Sequence, residues 1–461
     1  MSQPIPRPSG VPILGNIFDV KPGNPWASLK KLAEEHGEIF QIKILGKTIV
    51  FVASVALAEE ICDEKRFRKY VGGPVVEIRA AVHDALFTAY DHEASWGIAH
   101  RIIAPYLQPD ALADNFEQMR DTASELIELW KASTEPVCPW RDLAKLDLET
   151  LTLTLYGRKL NCLSGPHHPM IKAMEDSTGE AMQRPTRPGI LNWLLYRGKF
   201  NLAIKAMREY AADLVQYRKE HPSDRQDLLS ALMSAKDPET GESLTESQVL
   251  DEVVSMPIGS STAPCLLATI IFLLLKNPDA IVKARKEIDV VVGAEGDLSH
   301  AHLAQLKYIE AIVREGLRLS FAAPGFNIEP IPSGGPGSRN KSPVLLGGGK
   351  YQVAHNQAMI IVMAGVNRDP AVFEEPLAFR PERMMGDEFE RLPAGAKKWF
   401  GNGKRECIGK HYAWQWTMIV LTKMLREVDF AMVDADYKLE QDGWFNVRPI
   451  DFNVKIRARA V

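Results

Sequence analysis

Apolar residues recur at helical spacing along most of the chain, interrupted near both ends by short alternating runs. From Asn24 to His36 the apolar positions Trp26, Leu29 and Leu32 share one helical face, and Gly37 stops the pattern. Ile39–Ile44 and Thr48–Val52 flank Gly46-Lys47 and predict a β-hairpin. Ser54 is placed to cap a helix running to Glu64. The segment 65–90, with Gly72-Gly73-Pro74, reads as loop-rich up to Leu86-Phe87-Thr88. Trp96 and His100 lie four apart on one face of the helix after Asp91. From 110 to 250 the pattern is helical, broken at Pro136, Gly165-Pro166, 185–189 and 220–223, and Thr245 is placed to cap a helix from Glu246. Residues 310–319 predict a helix with Glu315 and Arg318 one turn apart, and 330–357 reads as an irregular, Gly/Pro-rich insertion. Cys407–Val428 predicts an apolar helix, followed by strand-like segments to the end. The expected class is mainly α with small β-sheets, α+β.

Composition narrows this little. The 461 residues suit two or three ordinary domains or one large helical one, and 46% hydrophobic with 25% charged residues describes a folded globular protein. A net charge of −4 gives no reason to expect nucleic acid as a partner. Five scattered cysteines without a C-x-x-C pair suit a reducing compartment rather than a disulfide framework. The Pro-rich stretch from Met1 to Gly15 reads as neither signal peptide nor membrane anchor, and the apolar run Cys265–Leu275 is too short to span a bilayer. The expectation is a soluble, cytoplasmic protein.

The most specific chemistry lies at Phe400-Gly401-Asn402-Gly403-Lys404-Arg405-Glu406-Cys407-Ile408-Gly409. A thiolate that ligates haem iron needs a backbone loop wrapped tightly round the sulfur. Gly401, Gly403 and Gly409 are expected to let the loop take positive φ and the porphyrin approach. Phe400 shields the sulfur, and Arg405 offers its fork of donors to a haem propionate. This stretch resembles the cysteine-ligand loop of the cytochromes P450.

The resemblance covers the whole chain and is nearest to the haem domains of self-sufficient fatty-acid hydroxylases. It draws on Gly37-Glu38-Ile39-Phe40, Cys62-Asp63-Glu64, Leu86-Phe87-Thr88, residues 236–242 and Asn367-Arg368-Asp369-Pro370. It implies the P450 fold: one triangular helical domain over 1–461, with haem b between distal and proximal helices. The small β-rich part would be about 1–70 and 322–385, and the helical part about 71–321 and 386–461. Cys407 would ligate iron, while Trp96, His100, Arg405, Phe400 and Gly409 would hold the haem. Glu315, Arg318 and Arg383 would form a structural triad. Phe87 would gate the substrate pocket, lined also by Ile258, Pro324, Lys47 and Phe51. The separate NADPH-dependent flavoprotein reductase that the resemblance implies is expected to dock near Lys397, Lys398, Lys404 and Lys410.

Two departures change the picture. The family's distal helix carries an acid–Thr pair that relays protons for oxygen activation. The matching stretch here is Ile258-Gly259-Ser260-Ser261-Thr262, so Thr262 is kept but Ser261 stands in for the acid and cannot supply a titrating carboxylate. Ile258 replaces a small residue beside the porphyrin, and Pro257 and Pro264 are expected to kink the helix and make room for a water chain. At the substrate end, Lys47 and Phe51 stand where the hydroxylases have Arg and Tyr, which implies a mainly apolar substrate. The resemblance therefore implies a monooxygenase. The alternative is a haem–thiolate enzyme outside the O2/reductase cycle: a hydroperoxide isomerase or dehydratase, a peroxygenase or a rearrangement catalyst. A catalytically silent haem-binding homologue is the third class.

Overall fold

The computed structural model describes residues 2–21, 24–293, 296–331, 342–443 and 445–459. Asn24 caps the helix Pro25–His36 by accepting from the Ala27 N–H at 3.0 Å. The hairpin of β1 (Ile39–Ile44) and β2 (Lys47–Val52) follows, as the alternation predicted. The helix after Ser54 is shorter than predicted, Val55–Ile61, and the segment 65–90 is more ordered than its glycines suggested. It holds β3 (Phe67–Lys69) and the helix Pro74–Val82, whose Pro74 suits a first helical turn because no partner awaits its missing N–H.

Four further strands build the β-rich part, β4 (Gly325–Pro330), β5 (Val344–Leu346), β6 (Tyr351–Val353) and β7 (Met359–Val362), and near the C-terminus β8 (Val428–Met432) pairs with β11 (Val454–Ala458) and β9 (Gln441–Asp442) with β10 (Arg448–Pro449). The order of the main sheet is β1-β2-β7-β4-β3, with β2 and β7 parallel and the other pairs antiparallel. Part of the predicted irregular insertion, residues 332–341, lies outside the described residues. The rest folds as the β5–β6 hairpin, turned by Gly347, Gly348 and Gly349 at φ 59°, 64° and 92°. One apolar cluster joins this sheet to the helices at 25–36 and 55–61, around Phe40, Phe51, Ile361 and Phe373. A second and larger cluster fills the space between the helices.

The centre of the helical part is a long helix in two halves, Glu246–Ser260 and Thr262–Lys276. Thr245 and Gln248 close a capping box at its start. Pro257 has no N–H for the Val253 carbonyl, and the Tyr156 hydroxyl donates to that carbonyl instead, at 3.2 Å. The helix divides at Ser261 (φ −56°, ψ −7°), which puts Pro264 in the first turn of the second half, where an N–H has no intrahelical acceptor. By length and composition the stretch Glu246–Lys276 would cross a bilayer, but 67% of its most apolar window is packed inside the protein, so its apolarity serves the core. The helix predicted from Cys407 begins later, at Lys410, and runs to Glu427.

Candidate haem and substrate site

Between the two halves of the central helix and the helix Lys410–Glu427 lies a cavity of about 1490 Å³. Cys407 lines one wall, and Ile258, Gly259 and Thr262 line another. The volume exceeds the roughly 300–1,000 Å³ of an ordinary ligand pocket, as a site for a large prosthetic group plus a substrate would.

The cysteine loop is tied by its own backbone. The Cys407 N–H donates to the Phe400 carbonyl at 2.8 Å, and the Glu406 N–H to the Gly403 carbonyl at 2.9 Å. Gly401 and Gly403 take φ 83° and 57°, a region that L side chains avoid. Gly409 does not share that role: its φ is −87°, and a Cβ there would meet Cys407 Sγ at 4.0 Å. At that distance a Cβ would make an ordinary contact, so neither backbone conformation nor crowding by the sulfur requires a glycine here. Burial pushes the Cys407 thiol up while the Gly409 N–H pulls it down, and coordination to a metal would overcome the burial.

Beside this loop two cations, Lys69 and Arg405, lie close together, and the Asp91 carboxylate reaches Arg405 only at 4.0 Å. Lys69 donates to the Phe87 carbonyl and lies 4.4 Å from the Phe87 ring centroid. Burial, helped by the neighbouring Arg405 guanidinium, pushes Lys69 down to about 7. Arg405 stacks 4.6 Å over Trp96 and donates to the carbonyls of Leu86 and Ala89 at 3.3 and 3.1 Å, leaving its buried Nε without a partner. His100 lies with its ring 5.0 Å from that of Trp96, its pKa lowered by burial and by Arg101 and Arg405. A buried cation pair with an unused donor fits a carboxylate-bearing prosthetic group, and the propionates of haem supply such carboxylates. The sequence offered no signal for Lys69, since a lysine at the end of a short strand is commonplace. Arg101, next to His100, turns away to Asp237, at 2.5 and 2.8 Å.

Phe87 is placed by the same network. Its loop is held by Lys69 and Arg405 and, from the central helix, by Glu252, which accepts the Leu86 N–H at 2.9 Å. Phe87 meets Phe445 edge to face at 5.7 Å. Ile258 is buried on the cavity wall, and Pro324 lines the cavity while its carbonyl accepts the Met363 N–H at 3.0 Å. Lys47 and Phe51 lie on the same face of β2 and both line the cavity. Lys47 is exposed, whereas Phe51 is buried and stacks on Phe40 at 5.0 Å.

At the helix division the two hydroxyls are already engaged. Thr262 donates to Asn446 Oδ1 at 2.9 Å, Asn446 Nδ2 donates to Ser261 at 2.7 Å, and Ser261 donates to the Ile258 carbonyl at 2.8 Å. Asn446 was not foreseen, because its loop comes close to the central helix only through the fold. Gly259 keeps open space where a Cβ would stand.

Away from the pocket, Arg318 makes a bidentate pair with Glu315, both bonds 2.8 Å, and Arg383 Nε lies 3.4 Å from Glu315. The remaining Arg318 donors go to the carbonyls of Asn367, Pro376 and Ala378. The four lysines near the cysteine loop are engaged within the chain: Lys397 with the Glu390 carbonyl, Lys398 with Asn402, Lys404 with Asp91 and Lys410 with Glu406.

The family model for cytochrome P450 matches residues 5–455. The chain is 34% identical over its full length to the bifunctional cytochrome P450/NADPH–P450 reductase ascE of Acremonium egyptiacum, covering 44% of that protein. It is 35% identical over 98% of its length to the self-sufficient cytochrome P450 monooxygenase CYP505E3 of Phanerodontia chrysosporium, covering 43% of it. It is 36% identical over 99% of its length to CYP505U2 of Exserohilum turcicum, covering 42%. The chain thus spans less than half the length of these relatives. With the cysteine loop, the neighbouring cations and the two-walled cavity, these matches establish that the chain belongs to the cytochrome P450 family, oxidoreductases whose haem b is held by a cysteine thiolate.

Proposed function

We propose that this chain is a haem–thiolate monooxygenase. It inserts one oxygen atom from O2 into an apolar small-molecule or lipid-like substrate, with electrons from an NADPH-dependent flavoprotein reductase outside residues 1–461. The observation that carries the reading is the single cavity bounded by Cys407 on one wall and by Gly259 and Thr262 on another. The relatives' names, which pair P450 with reductase or monooxygenase, support it.

When bound, the haem supplies oxygen activation and oxidising power. Cys407 is the thiolate ligand, with Phe400 and Gly409 flanking the sulfur. Lys69, Arg405, Trp96 and His100 hold the propionate edge. Phe87, Ile258 and Pro324 shape an apolar chamber, and Phe51 continues the apolar wall toward Lys47, whose exposed ammonium offers a contact for a polar substrate end. Ser261 and Thr262 hold protons beside the pocket, in the orientation set by Asn446. Glu315, Arg318 and Arg383 fix the core behind the cysteine loop and touch no substrate.

One observation favours a second reading, a hydroperoxide isomerase, dehydratase or peroxygenase. Neither Ser261 nor Thr262 directs its proton into the pocket: their hydroxyls go to the Ile258 carbonyl and to Asn446. The test is a pair of rapid-mixing experiments. Reduced protein is mixed with O2 beside a surrogate reductase, and ferric protein is mixed anaerobically with a fatty-acid hydroperoxide. Oxygen-dependent product and slow hydroperoxide loss are expected. Rapid hydroperoxide loss without reductant, and no O2-dependent product, overturn the monooxygenase reading.

A further inference from the structure

The central helix lacks the carboxylate that the family's acid–Thr pair requires, yet an acid reaches the same point from another helix. Asp147 lies in the helix Pro139–Tyr156, is only 3% exposed, and lines the cavity that holds Cys407 and Thr262. Its Oδ2 takes the hydroxyl of Ser260 at 2.7 Å. Ser260 ends the first half of the central helix, beside Gly259 with its open space and two residues before Thr262. Pro264 has no N–H for the Ser260 carbonyl, so the backbone is also free of helical pairing there. We propose that Asp147, acting through Ser260, is the proton-donating acid of this distal pocket and takes the place of the carboxylate missing at Ser261. The inference rests on the monooxygenase reading above.

The route is balanced in protons. Protonated Asp147 donates to Ser260 Oγ as Ser260 releases its own hydroxyl proton into the pocket, and the carboxylate left behind regains a proton from solvent through the cavity. Between transfers Ser260 has a second acceptor, the Pro257 carbonyl at 3.3 Å, so its hydroxyl has two stable orientations. Burial pushes Asp147 up to about 7, against the opposing pull of the Ser260 hydroxyl, which poises it where a general acid works near neutral pH. The groups that face it from neighbouring helices do not titrate there. Burial raises Tyr210 on the helix Arg197–Glu220 and Tyr412 on the helix Lys410–Glu427, and pushes Cys265 up to about 12. Asp147 is therefore a positioning and proton-relay residue rather than one that touches substrate.

The test compares Asp147→Asn, which keeps an acceptor for Ser260 but cannot titrate, with Asp147→Ala and Ser260→Ala in the haem-loaded full chain. An intact thiolate ferrous–CO spectrum in each variant controls for folding and haem binding. Wild type is expected to lose product per NADPH as pH rises through about 7, with hydrogen peroxide released instead. Asp147→Asn is expected to release several-fold more peroxide at every pH, with a flat profile, and Ser260→Ala to do the same. Independently of turnover, difference infrared spectroscopy of ferric wild type is expected to show a protonated carboxyl band that titrates near neutrality and is absent from Asp147→Asn. If Asp147→Asn matches wild type in coupling and pH profile while only Asp147→Ala suffers, Asp147 is a structural tether and the proposal is overturned. If wild type makes no O2-dependent product with any reductase, the monooxygenase reading itself fails, and this inference with it.

Discussion

Thr262 donates its hydroxyl to the side-chain oxygen of Asn446 at 2.9 Å, joining residues 184 positions apart in the chain. The same amide donates to Ser261, so one side chain of the C-terminal loop fastens both residues of the helix division. In this chain the two hydroxyls sit in a run of neutral hydrogen bonds from Thr262 through Asn446 and Ser261 to the Ile258 carbonyl.

The Asn446–Thr262 bond is open to a double-mutant cycle. Asn446→Ala is expected to lower stability by about 1–3 kcal/mol, because it strands two partners at a partly buried site. Thr262→Ala costs less, and the double variant costs clearly less than the sum. Additive melting data would mean that the two side chains act separately.

Lys69 and Arg405 are expected to govern haem retention. Charge-assisted bonds contribute about 1.5–3 kcal/mol each, so Lys69→Ala and Arg405→Ala should each speed haem loss on the order of tenfold or more, measured by transfer to a haem-free acceptor protein. An unchanged rate in Lys69→Ala would remove it from the propionate site.

Cys407→Ala should abolish the thiolate signature of the ferrous–CO spectrum while secondary structure persists. An unchanged Soret position would sink the ligand assignment.

Glu252 gives a pH prediction independent of haem. Burial, against the Leu86 N–H, pushes its carboxyl up to about 8, from an ordinary value near 4.5. The folded state therefore favours the neutral acid. The contribution is most stabilising below the ordinary carboxyl range and is lost as pH rises toward 8. Glu252→Gln keeps an acceptor for Leu86 and should flatten the fall of melting temperature between about pH 5 and 8. A slope equal to wild type would show that Glu252 is already ionised in the folded protein.

Arg318 should prove structural. Arg318→Ala leaves Glu315 charged and buried, a loss of about 3–5 kcal/mol, and should reduce folded protein while leaving the specific activity of what folds unchanged. A selective loss of turnover at full stability would contradict that role.

Much of this was legible in the chain because it depends on local pattern. The spacing of Phe400, Gly401, Gly403, Arg405 and Cys407 encodes a loop whose shape its own backbone bonds fix. The hairpin at 39–52 and the capping box at Thr245 are likewise decided by neighbours a few residues away. The sequence misled where local signals pointed against packing. Gly72-Gly73-Pro74 looked like a loop, but Pro74 opens a helix that packs against the central one. Gly409 looked like a positive-φ position and takes an ordinary φ of −87° instead.

The sequence by itself determined the family, and it pointed to the cysteine loop, the Glu315–Arg318 pair and the serine at 261, since each is carried by residue types at short, fixed spacings. Only the tertiary structure decided what surrounds them. Lys69 meets Arg405, Asn446 closes on Ser261 and Thr262, and Asp147 reaches Ser260, each across contacts that no periodicity encodes. The physical reason is the same in each case. A buried charge or hydroxyl must find its partner in space, and the fold brings that partner from a distant part of the chain.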